Sequence, residues 1–168
     1  EFNEVVFTDA FLPEDAVIGA LGQGWAQVTS ELAYERSGPE RFLSSFQLVV
    51  ELARAIGPSP SERGAIALGR LAAHLITLRR MSRSVAGMLQ QGGNPALEAA
   101  LVKEVGNTLE QEIPEILRLL LDAEPEADGA DQLAAALGHT LLHSPSFSLR
   151  GGTREVLRGI IARGLGLR

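Results

Sequence analysis

The sequence predicts an all-α fold, an up-down antiparallel helical bundle with a short N-terminal strand-like segment ahead of it. Three observations lead there. Apolar residues make up 45% of the 168 positions and are mostly Leu, Ala, Ile and Val, while aromatic residues reach only 5%; that mix favours helices over strands. Apolar side chains recur at helical spacing through most of the chain, as a buried helix face requires. The Gly/Pro breaks between these stretches are short, and long helices joined by short turns pack most simply up and down. The length suits one domain with a real core and is too short for two ordinary ones.

The strand-like piece is "EFNEVVFTDAFLPEDAVIG", where Phe2, Val5 and Phe7 stand apolar among polar neighbours before Pro13 and Gly19 punctuate the run. A lone strand cannot satisfy its own backbone donors, so its sheet partner is expected outside the chain. A start at Glu1 in mid-pattern reads as a piece of a longer protein. "GALGQGW" is a Gly-rich turn into a helix from Trp25, with Val28, Leu32, Phe42, Phe46, Val49 and Leu52 on helical spacing. Gly38–Pro39 should kink or split that helix, because proline removes a donor and clashes with the preceding turn.

In "GPSPSERG", Ser59 can cap the next helix, with Pro60 at its first position and Glu62 completing a capping box. That helix is expected to run to Gln91 with Ile66, Leu71, Leu75, Leu78, Val85 and Leu89 as its buried stripe. Gly92 can end it in a left-handed conformation, and Asn94–Pro95 can open another helix reaching Leu121, kinked at Pro114. "DAEPEADGA" is a polar connector. Two last helices, over about 130–142 and about 153–163, close the chain.

Composition excludes several functions. A net charge of −6 argues against a general nucleic-acid binder. The absence of cysteine removes disulfides, thiolate catalysis and thiolate-ligated metals. No apolar run approaches the roughly 20 residues of a membrane span, and no signal peptide opens the sequence, so a cytoplasmic setting is expected. His139 and His143 have metal-ligand spacing, but "GHTLLHS" offers no carboxylate to complete a site, and no metal is expected. Arg79, Arg80 and Arg83 read as a solvated helix face. "GALGQG" lacks the strand-to-helix context of a dinucleotide loop.

Two further segments carry a resemblance. Phe2, Val5, Phe7, Leu12–Pro13, Gly19, Gly24 and Trp25 come in the order in which acyl-CoA dehydrogenases pass from their middle β-domain into their C-terminal helical domain. The tail, with Gly151–Gly152–Thr153 followed by Val156, Arg158, Ile161, Ala162 and Arg163, is similar to that family's closing "EGTxxIxRxxIAR". The resemblance implies that residues 1–22 end a middle β-domain and its linker, and that residues 23–168 form the C-terminal bundle. It implies a flavoprotein that binds FAD and oxidises an acyl-CoA across its α and β carbons. It also implies an electron-transferring flavoprotein as electron acceptor and assembly into homo- or hetero-oligomers through the helical domain.

Such chemistry needs a carboxylate beside the thioester in a dry pocket, and FAD to take the hydride. In many members the base is the glutamate of the closing motif, where this chain has Gly151, which cannot take a proton. Members resembling the long-chain and isovaleryl-CoA enzymes place it after the Trp, immediately before an arginine. "YERSG" fits that pattern, which makes Glu35 the expected base, with Arg36 and Tyr34 supporting it. Gly152, Thr153 and Glu155 match positions near the flavin in the family; taken alone, Thr153 and Glu155 simply start the last helix. The family's usual "RxxFG" flavin segment is not recognisable, and Arg54 or Arg63 are its possible substitutes. Two other roles stay open: a non-catalytic partner subunit of a hetero-oligomeric dehydrogenase, and a helical oligomerisation module without chemistry.

Overall fold

The computed structural model describes residues 3–126 and 131–167. The chain falls into two compact units, Glu1–Glu31 and Leu32–Arg168.

The first unit corrects the expectation of an N-terminal strand. Among the described residues there is no β-strand: the stretch from Asn3 to Pro13 is irregular, and Glu14–Ala16 form one 3-10 turn. A strand exists only through ladder hydrogen bonds to a neighbour. The backbone hydrogen bonds of this segment are instead local turn contacts, such as Ala16 N–H to the Pro13 oxygen. Val5, Val6, Phe7 and Phe11 are all exposed, so the apolar pattern marks no buried face. Phe2, which belonged to that pattern, lies outside the described residues. Helix α1, Gly24–Ser37, begins at the Gly-Trp pair as expected.

The second unit is all-α, an up-down bundle. Pro39 splits rather than kinks the early helix: α1 stops at Ser37, and α2, Glu40–Leu43, starts just after the proline. Helix α3, Phe46–Ile56, buries Leu48, Val49 and Leu52. Helix α4, Glu62–Gln90, is capped by Ser61, whose hydroxyl accepts from the Gly64 N–H. The cap therefore sits two positions later than the Ser59 box suggested, because Ser61 is the extended residue whose oxygen faces the open amides. Of the expected stripe on α4, Leu71, Leu78 and Val85 are buried, whereas Ile66 faces solvent.

Gly92 ends α4 at φ 78°, its N–H returning to the Leu89 oxygen. Helix α5, Ala96–Leu121, continues through Pro114 and stops at Asp122 in the left-handed region. Helix α6, Gln132–Phe147, runs past the expected end through Pro145, and α7, Arg154–Gly164, closes the chain. Helix α5 is the hub, packing against α2, α3, α4, α6 and α7. Leu52, Leu78, Val102, Leu117 and Leu137 are completely buried around it, each contributing about 1.5–3 kcal/mol of transfer free energy. Gly106 lets α2 approach α5: a Cβ there would lie 2.7 Å from the Arg41 carbonyl oxygen, a clash with backbone that cannot turn aside.

No helix among the described residues is long and apolar enough to cross a membrane.

Candidate functional site

The end of α1 and the turn between α6 and α7 meet. Gly151 and Gly152 both take positive φ, 73° and 114°, which a side chain would oppose. Arg36, buried at 8% exposure, donates its Nε to the Gly151 carbonyl oxygen at 2.9 Å. Burial lowers its proton affinity, and the neighbouring Glu35 charge works the other way. Glu35 sits on the exposed side of the same turn of helix. Its Oε1 lies 3.3 Å from the point where a Cβ on Gly151 would stand. The two positions that the sequence linked, Glu35 and the vacated base position Gly151, therefore lie close together.

Tyr34 is exposed and lines an apolar cleft of about 360 Å³ with Ser37, Gly38, Pro39, Ser82 and Leu89. The cleft lies on the α1–α4 side of Glu35's helix end and presents little polar surface to an occupant. Ser82 fixes one wall by donating its hydroxyl to the Ser37 carbonyl oxygen at 2.6 Å.

Thr153 is the N-cap of α7, its hydroxyl accepting from the Val156 N–H. Glu155 occupies the first turn, where its own backbone N–H and the Thr153 hydroxyl hold its carboxyl below the usual carboxylate range. Position 152, which the resemblance sets near FAD, is packed: a Cβ there would stand 3.6 Å from Arg36 Nη2, 3.8 Å from Leu157 Cδ2 and 3.9 Å from Val156 Cγ1, and the Thr153 hydroxyl beside it caps α7. Arg54 donates to Glu51 at 2.7 Å and Arg63 to the Leu119 carbonyl oxygen at 3.1 Å, and the Arg54 side chain remains 64% exposed. His139 and His143 stack on one another at 4.1 Å with no third ligand brought to them among the described residues.

Sequence reasoning missed a buried charged group beneath this turn. Lys103 and Glu110 on α5, Arg41 on α2 and Arg150 before Gly151 pack together, the first three buried to 2% exposure or less. Burial pushes the Glu110 carboxyl up, against the pull of Arg150, Arg41 and Lys103. The signal was available: positions 103 and 110 fall on the same 3.6-residue stripe as Gly106, Ile113 and Leu117. Charges on a buried stripe point to a paired interior network.

A family model described as the C-terminal domain of acyl-CoA dehydrogenases matches residues 22–166. The chain is 26% identical over 169 residues to acyl-CoA dehydrogenase FadE34 of Mycobacterium tuberculosis, covering 98% of this chain and 22% of that protein. The chain thus spans less than a quarter of that relative. It is also similar to the crystal structure of the ChsE4–ChsE5 complex from Mycobacterium tuberculosis, with a TM-score of 0.65 and 26% identity over 86% of this chain and 41% of that one. The chain belongs to the acyl-CoA dehydrogenase family, whose C-terminal domain its residues 22–166 match.

Proposed function

We propose that the chain is the C-terminal domain of one subunit in a hetero-oligomeric acyl-CoA dehydrogenase, acting as a partner that completes a shared assembly. The observation that carries this reading is the likeness to a structure solved as a complex of two named components. The test is flavin content. The intact protein purified alone should hold little FAD and gain it when co-expressed with a second acyl-CoA dehydrogenase chain of the same organism; a full complement of FAD in the lone protein would overturn the reading.

A second reading, in which this subunit itself turns over an acyl-CoA, is favoured by Glu35 Oε1 lying 3.3 Å from where a Cβ on Gly151 would stand. The Glu35 carboxylate then removes the α proton of the thioester, Arg36 fixes the turn beneath it, and the cleft beside Tyr34 holds apolar acyl carbons. FAD, where bound, would supply the hydride-accepting chemistry, and an electron-transferring flavoprotein is the partner this reading implies. Glu35→Gln should abolish flavin reduction by butyryl-, isovaleryl- or palmitoyl-CoA while leaving binding intact. Reduction at the wild-type rate would remove Glu35 from the chemistry.

A further inference from the structure

Helix α4 buries one side only. Leu71, Leu78 and Val85 enter the bundle. On the opposite side a second series, Glu62, Ile66, Gly69, Ala73, Ile76 and Arg80, is exposed throughout. Its steps alternate between four and three residues, the spacing of a coiled-coil seam. Ile66 and Ile76, its apolar members, are 54% and 57% exposed. Gly69 has no reason within its own chain: a Cβ there would meet nothing within 4 Å, and a glycine inside a helix costs about 1 kcal/mol relative to alanine. Small residues at mid-seam are what a second helix needs for a close approach.

The series is complementary to itself when two copies run antiparallel. With a two-fold axis at the level of residue 71, Glu62 faces Arg80 of the second copy, Ile66 faces Ile76, and Gly69 faces Ala73. Opposite charges then meet at both ends, isoleucines meet inside them, and the smallest residues meet at the centre. A two-fold interface uses the same patch on both copies, so it demands this kind of self-complementarity. Neither Glu62 nor Arg80 has an ion-pair partner among the described residues. Other alignments lose the match. A parallel pair sets Glu62 against Glu62 and Arg80 against Arg80, and an antiparallel pair slid by one heptad sets Gly69 against Arg80 and Ile66 against Arg83. We propose that α4 is a self-pairing surface: two copies of this chain join antiparallel along the seam, with reciprocal Glu62–Arg80 ion pairs at its ends. Ile66 of the second copy then comes to the lip of an apolar cleft of about 460 Å³ lined by Phe42, Leu43, Phe46 and Ile76. The proposal is independent of both functional readings above, since each allows two copies of this chain in one assembly.

The experiment is disulfide trapping in the intact protein, at positions that are exposed and so tolerant of change. The 168 residues hold no cysteine of their own to compete. Under mild oxidation Glu62→Cys/Arg80→Cys should give a covalent dimer whose linked peptides carry positions 62 and 80. Neither single variant should, because at 1.5 Å per residue each position lies about 27 Å from its own copy along the axis, and a disulfide needs Cα atoms within about 7 Å. A double variant without the 62–80 link, or single variants that link as readily, would overturn the proposal. Loss of the link on co-expression with an unlike acyl-CoA dehydrogenase chain would give the seam to that chain and would equally overturn it. A second measurement, sedimentation of the intact protein, tests the charges. Glu62→Arg and Arg80→Glu should each weaken self-association about tenfold, and the two together should restore it. The two positions are about 27 Å apart on one straight helix, so one change can repair the other only between copies. Single reversals at wild-type affinity, or a double reversal no better than either, would contradict the pairing.

Discussion

Arg36 donates its Nε to the carbonyl oxygen of Gly151 at 2.9 Å, which fastens the end of α1 to the turn that precedes α7. The bond joins residues far apart in sequence, and it holds the flexible double glycine in one conformation. Arg36→Ala should lower stability by about 1.5–3 kcal/mol, the usual contribution of a hydrogen bond from a charged group, read as a lower unfolding midpoint in urea. A midpoint within error of wild type would show that the turn holds itself.

Gly151→Ala should be costly for two reasons that can be separated. A Cβ at φ 73° carries strain of about 1–2 kcal/mol and would also sit tightly, 3.3 Å, against Glu35 Oε1. Gly92→Ala offers the control, since φ there is 78° and a Cβ would meet nothing within 4 Å. Thermal melts of both variants should show the larger loss at Gly151; equal losses would mean that only backbone strain matters.

Stability should rise with pH on the alkaline side because of Lys103. Its folded value, about 7, lies below its ordinary value of 10.5. Between those limits the unfolded chain binds a proton that the folded chain lacks, so stability increases with pH by about 1.4 kcal/mol per unit from this group. Below about 7 both states carry the proton and this slope vanishes. Urea titrations at several pH values should show the slope in the wild type and its loss in Lys103→Met.

Glu104 fastens α7 to α5 by accepting from Arg154 at 2.9 Å and from Arg158 at 3.1 Å. Burial pushes its carboxyl up, but the hydrogen bonds from the two arginines outweigh this and hold it below the usual range. Its contribution is therefore present above the ordinary carboxylate value and is lost as pH falls below it. Glu104→Gln should cost about 1–3 kcal/mol at neutral pH and flatten the acid side of the stability profile, as followed by circular dichroism.

The helices and their breaks were legible because each signal was local. Pro39 ends one helix, Gly92 another, and Leu71, Leu78 and Val85 mark a face by spacing alone. The N-terminal segment misled for the same reason: Val5 and Phe7 follow a strand-like pattern, but a strand needs a partner that no local pattern supplies. Glu35 and Gly151 could be linked in sequence only through the family's pattern, and in the fold Glu35 Oε1 lies 3.3 Å from where a Cβ on Gly151 would stand. Lys103 was missed because its importance comes from long-range neighbours, Phe147 on α6 and Arg41 on α2, which its own helix does not announce.

The central claim, membership of a two-component dehydrogenase, meets its most direct test in the FAD-to-protein ratio of the intact protein, purified alone and with a co-expressed family partner. The expected result is a nearly colourless lone protein and a yellow complex whose flavin is bleached by an acyl-CoA. A lone protein with one FAD per chain, fully reduced by the same acyl-CoA, would contradict it.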